Sequence, residues 1–222
     1  SDARRLAEQL AGISVVEDFP RAMLGERATV IQTFDVIRTS NPLDHDDLWS
    51  HKLYFSYAGR PFMPLTELRV LRFWEESIRL SKRPYRELSA HDRARLDELN
   101  VEAGWIGSAL CSVSLRAHAT AESADAKLVG SHIALALNVY KQRHKNYPRT
   151  LSQLRSSAKW APADKDSFSD KDFVYHSVGD GYVLYSIGPN LRDDSGVPEP
   201  KPKPGEMPRD PNAYDIVWKM DH

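Results

Sequence analysis

At Tyr147-Pro148 the hydrophobic rhythm of the chain changes. Before that point apolar residues recur at helical spacing, most clearly at Leu128, Ile133, Leu137 and Tyr140. After it they alternate, with Phe173 and Tyr175, then Tyr182 and Leu184, and Val183 and Tyr185 on the opposite face. A period near 3.6 puts residues on one side of a helix, and a period of two puts them on one side of a strand. The expected class is therefore α+β. A mostly helical N-terminal region, about five or six helices, runs into a long helix packed on a small antiparallel sheet of about three or four strands at the C-terminus.

The helical part is punctuated by its own residues. Gly12 is a stop, and a segment starting after Pro20 carries Met23, Leu24, Ala28, Ile31, Phe34 and Val36 until Asn41-Pro42 breaks it. Gly59-Arg-Pro61 forces a turn. Pro64 suits the first turn of the next helix, where its missing N–H costs nothing. The apolar stripe of that helix is read as Leu68, Leu71, Trp74 or Phe73, and Ile78, and Pro84 ends it. Ser89-Ala-His-Asp92 has the form of a capping box with a short acid. Small residues dominate residues 100–124, as in a closely packed helix, and a break is expected near Thr120–Ser123. Val178-Gly179-Asp180-Gly181 is hairpin chemistry. The organisation expected is a helical region over 1–123, then the long helix and sheet over 124–222, forming one continuous unit if the helix at 124–144 serves both.

Composition narrows the function classes. Thirty basic and 31 acidic side chains leave no positive excess to neutralise a phosphate backbone, which argues against nucleic acid as a partner. The single cysteine, Cys111, cannot form an internal disulfide or a cysteine-rich metal site, and reads as a small buried residue. No apolar run reaches the roughly 18–20 residues that span a bilayer. Phosphate-loop, Rossmann and Gly-x-Ser-x-Gly patterns are absent from the sequence.

The closing third carries a resemblance. Tyr140, Tyr147-Pro148, Leu151, Leu154, Asp166-Ser-Phe168, Tyr185-Ser186-Ile-Gly188, Asp193-Asp194-Ser-Gly196 and Asp215-Ile216 follow one another in this order. In that order the stretch from Ile133 to Trp218 resembles the globular part of type II secretion major pseudopilins. The whole chain is also similar to a group of bacterial proteins, without an assigned activity, in which a helical region precedes this tail. Leu24-Gly-Glu26-Arg27 and the apolar residues after it belong to that likeness.

The resemblance implies a non-catalytic, extracytoplasmic structural or interaction protein, secretion- or pilus-related, with protein partners. It implies anchoring to a membrane only through an N-terminal segment upstream of Ser1. It also implies calcium, held by Asp193, Asp194 and Asp215, with Ser186 and the Leu191 carbonyl as lesser ligands. Oxygen-rich, tightly turning loops suit this hard cation. Asn190 stands where the family has Asp, and Ser195 where it has Gly. A pseudopilin places its globular part directly after its membrane helix, whereas here a long helical region comes first, as if the tail were a reused module.

Two other readings stand beside this one. His45, Asp47 and His51 form the one His/acid cluster of the sequence, one helical turn separating Asp47 from His51. A metal-dependent enzyme would place its site there. The bland alternative is that Asp44, Asp46 and Asp47 favour a helix start. A peptide- or glycan-binding helical module is the third reading.

Overall fold

The computed structural model describes Arg5 and residues 13–39, 62–157, 165–198 and 214–220, with the side chains at 106 and 112–115 left aside. Along these residues run α1 (Val15–Thr39), α2 (Met63–Ser81), a 3-10 turn (Tyr85–Glu87), α3 (Ala90–Glu102), α4 (Gly104–His144), α5 (Leu151–Ser157), β1 (Val174–Val178), β2 (Gly181–Ser186) and β3 (Ile216–Met220). The class is α+β, with one three-stranded antiparallel sheet of order β1-β2-β3 among the described residues. The chain divides into two compact units. One comprises Ser1–Glu17 with Ala119–His222, the other Asp18–His118.

Within Asp18–His118, α2 buries Met63, Thr66, Val70, Phe73, Trp74, Ser77 and Ile78. These recur three and four apart, as one face of a helix requires. The stripe expected through Leu68 and Leu71 is corrected. Leu68 is exposed and Leu71 half-buried, because the face that includes Trp74 continues backward through Val70 and Thr66. Pro64 sits in the first turn of α2 as expected. A methyl group at Gly107 of α4 would lie 2.9 Å from Val70 and 3.9 Å from Thr66, so the missing side chain lets this helix approach α2. α1 buries Phe19, Met23, Val30 and Phe34, while Leu24 and Val36 face solvent. Arg38 pairs with Asp35 and with Glu67 of α2.

The start of α3 has the capping box that the sequence suggested. Asp92 N–H donates to Ser89 Oγ at 3.0 Å, and Ser89 N–H donates to the Asp92 carboxylate at 3.0 Å. The Ser89 hydroxyl also donates to the Asp92 carboxylate at 2.8 Å, and that bond, then the Ser89 N–H bond and the charge of Arg83, hold the Asp92 carboxyl down at about 2.

Two expectations about helix ends are overturned. α1 begins before Pro20 and contains it. Its first turn is fixed by Ser14, whose Oγ accepts the Glu17 N–H. Asp125 of α4 adds a second cap by accepting Val15 N–H at 2.6 Å and Val16 N–H at 3.3 Å. A carboxylate there satisfies otherwise orphaned donors and meets the positive end of the helix dipole. The break expected near Thr120–Ser123 is also absent, since α4 is continuous through it. Nothing in Thr-Ala-Glu-Ser prevents helical backbone. The turn falls instead at Gly104, whose φ of +71° ends the run from α3.

In the other unit the C-terminal half of α4 lies on the sheet. Trp218 of β3 places its ring where Gly130 has no side chain, and its indole N–H donates to Ser131 Oγ at 3.3 Å. Phe173 meets the Trp218 ring edge-on at 6.0 Å. Lys141 caps the hairpin by donating to the Asp180 carbonyl at 2.7 Å. The turn itself has Gly179 at φ +57° between paired Val178 and Gly181, the glycine-first pattern of a type II′ hairpin. Leu184 pairs across the sheet with both Tyr175 and Trp218, so these three share the helix-facing side. After α4, Tyr147 packs on Tyr182 at 4.9 Å, and Tyr175 donates its hydroxyl to the Pro148 carbonyl at 2.7 Å. The segment where the sequence changes rhythm is thereby fastened to the sheet.

Gly130 supplies a test with an unusual sign. On an exposed helix Gly→Ala stabilises by about 1 kcal/mol. Here the new methyl would stand 2.1–2.5 Å from Trp218 ring carbons, so Gly130→Ala is expected to lower stability instead. A loss of about 1–3 kcal/mol by urea denaturation is the scale of such overpacking.

Candidate functional site

The acidic residues singled out by the sequence collect at one end of the sheet, around the exit of β2. Side chains alternate along a strand, so Tyr185 and Ser186 leave β2 on opposite faces. Each anchors a different loop.

Ser186 anchors the segment before the sheet. Its hydroxyl donates to Asp166 Oδ1 at 2.7 Å and accepts the Gly188 N–H at 3.2 Å. Asp166 is only 1 % exposed. Its carboxylate also accepts Phe168 N–H at 3.2 Å, Ser169 Oγ–H at 2.9 Å and Ile187 N–H at 3.4 Å. A carboxylate this deeply buried persists only with such donors around it. Gly188 has φ +69°, and a Cβ there would strike the Tyr214 carbonyl at 2.3 Å. The glycine is what allows the chain to pass so close to the start of β3.

Tyr185 anchors the acidic loop. Its hydroxyl donates to Asp193 Oδ1 at 3.0 Å, and the same oxygen accepts the Ser195 N–H at 2.9 Å. Burial, then the contact with Asp193, raises the Tyr185 phenol to about 12. A methyl at Gly196 would lie 3.0 Å from the Tyr185 ring and 3.4 Å from Val183, so the loop folds back over the sheet face opposite α4. Asp215 closes it by accepting Gly196 N–H at 2.8 Å and Asp194 N–H at 3.4 Å. Burial pushes the Asp215 carboxyl above the usual carboxylate range, against the pull of those two bonds. Asn190 donates through Nδ2 to Asp194 at 2.7 Å and accepts the Arg192 N–H at 3.0 Å. Ser195, which stands where the resembled family has Gly, adopts φ +62°. That left-handed backbone costs a non-glycine residue roughly 1–2 kcal/mol.

Asp193, Asp194 and Asp215 are thus brought into one loop, and every one of them accepts hydrogen bonds from the loop's own N–H groups or side chains. Ser186 is bound to Asp166 instead of joining them. Among the described residues no group of three or more His, Cys, Asp or Glu side chains is arranged to hold a metal ion. As placed, each of the three carboxylates helps to close the loop.

The other candidates are dispersed. His45, Asp47 and His51 lie outside the described residues. His91 is exposed, whereas His118 and His132 are buried on α4. Glu76 pairs with Arg79, and that contact holds its carboxyl below the usual range. Cys111 is fully buried, which pushes its thiol up to about 12, far from the thiolate a nucleophile needs. Asp166 and Asp125 are the polar residues whose roles the sequence did not assign. A short Asp-Ser-Phe before a Ser-x-Gly was the available signal for the first. The second had none, since its partner lies more than 100 positions away. None of the protein-family models, curated proteins or solved structures compared with the chain matches it.

Asp166→Ala is expected to cost on the order of 3–5 kcal/mol, the scale for stranding several buried donors. Asp193→Ala, at a solvent-exposed position, is expected to cost less than about 1 kcal/mol. Paired urea melts measure both, and similar losses would contradict the hub role of Asp166. Because the loop closes on its own donors, the thermal midpoint is expected to be equal in EDTA and in calcium chloride. A rise that saturates with calcium, and disappears in Asp193→Ala/Asp194→Ala, would instead show that the loop takes the ion.

Proposed function

We propose that this chain is a non-catalytic, extracytoplasmic structural or interaction protein of the bacterial envelope, held to a membrane through a segment upstream of Ser1 and related to secretion or pilus machinery. The observation that carries the reading is where the residues of the pseudopilin resemblance fall. Tyr147-Pro148, Asp166, Ser186-Ile-Gly188 and Asp215 all secure the unit in which the second half of α4 lies on the sheet. A long helix covered by a small antiparallel sheet is the arrangement that resemblance implies.

The use of these groups also supports the reading. Asp166, Ser186 and Asp215 are engaged in fixing loops, a role suited to a rigid module. The helical unit adds surface for a protein partner. Phe62, Leu65 and Leu68 stand 65 %, 48 % and 47 % exposed about one helical turn apart. Aromatic and aliphatic side chains so presented suit protein contacts.

The location is tested by fusing the complete gene, ahead of its stop codon, to alkaline phosphatase and in parallel to β-galactosidase. The phosphatase needs disulfides and is active only in an oxidising compartment. Phosphatase activity with inactive galactosidase is the expected result. The reverse pattern would place the protein in the cytoplasm and end the envelope reading.

A further inference from the structure

Within the unit Asp18–His118 there is a cavity of about 60 Å³ between α1, α2, the 3-10 turn, α3 and the beginning of α4. Phe19, Met23, Leu80 and Leu88 form its apolar wall, all of them buried. A water needs about 10–15 Å³ by this measure, so the space matches about four to six waters, or a branched body of about four carbons.

Its polar groups are few. His118 stacks on Phe19 at 5.2 Å and meets the edge of Tyr85 at 5.6 Å. Burial brings its imidazole down to about 4, so at neutral pH the ring is uncharged. Arg93, exposed at the rim, holds its guanidinium 6.0 Å from the centre of the Tyr85 ring. Among the described residues no acidic side chain lines the cavity.

The arginines of this stretch are unequally satisfied. Arg79 pairs with Glu76 and Asp92, Arg83 with Asp92, Arg86 with Glu87, and Arg95 with Glu98. Arg93 has no carboxylate partner among the described residues; its guanidinium lies over the face of Tyr85. A guanidinium is a planar fork that fits a carboxylate through two parallel hydrogen bonds. The geometry points to a binding site for a short-chain monocarboxylate, with its branched tail against Phe19, Met23 and Leu88 and its carboxylate on Arg93. A second carboxylate on the ligand would have to be buried against apolar wall, which selects against dicarboxylates. This site does not depend on the envelope reading.

The test follows the thermal midpoint of the full chain with sodium isobutyrate, isobutyramide, sodium succinate and sodium chloride at matched ionic strength. A saturable rise with isobutyrate alone is expected. Its apparent Kd should be on the order of 1 mM, because so few ligand atoms contribute. Arg93→Gln changes an exposed side chain, so the free protein should melt as the wild type does while isobutyrate binds about tenfold more weakly. Arg93→Lys keeps the charge without the fork and should fall between them. A flat response to isobutyrate, an equal rise with isobutyramide or succinate, or undiminished binding by Arg93→Gln would each overturn the assignment.

Discussion

The C-terminal unit depends on one buried carboxylate. Asp166 takes hydrogen bonds from its own turn, through Phe168 and Ser169, and from the end of the central strand, through Ser186 and Ile187. Two chain segments some twenty residues apart thus converge on a single pair of oxygens. Desolvating a carboxylate is costly, and its attraction to these donors offsets that cost only while all of them are in place. The group therefore specifies one geometry for the strand exit. Through Ser186 it also fixes Gly188, which passes close to Tyr214.

Helix α4 and the sheet are complementary in a simpler way. The bulkiest residue of β3, Trp218, meets Gly130 of α4, which leaves room for it. The pairing is one of packing, to which the indole N–H adds a hydrogen bond to Ser131. In the helical unit Gly107 plays a similar part toward Val70, so close approach through glycine recurs along the same helix.

The change of period at Tyr147-Pro148 made the α+β class legible, because helical and strand spacing differ by nearly a factor of two. Capping at Ser89 and the Gly179 turn were legible too, since both depend on residues within four positions of each other. The face of α2 was not. Leu68 and Leu71 are apolar, but the buried stripe is decided by which neighbours Trp74 and Val70 meet. Continuity of α4 was hidden for a related reason: small residues permit a break without requiring one. The acidic loop gave its location but not its use. Asp193, Asp194 and Asp215 look alike in sequence to ion ligands, and only the N–H groups of Ser195, Asp194 and Gly196 and the Asn190 amide show what they hold.

The sheet order has a consequence for how this unit assembles. β1 and β2 are joined by a two-residue turn and can pair as soon as both have been made. β3 lies roughly 30 residues beyond β2, and closing that interval costs chain entropy before any contact offsets it. Yet β3 carries Trp218, and Asp215 just ahead of it closes the acidic loop. The strand with the farthest to travel is thus the one that fastens helix, sheet and loop together. Until it arrives, the hairpin has an open edge and Gly130 faces an unfilled place.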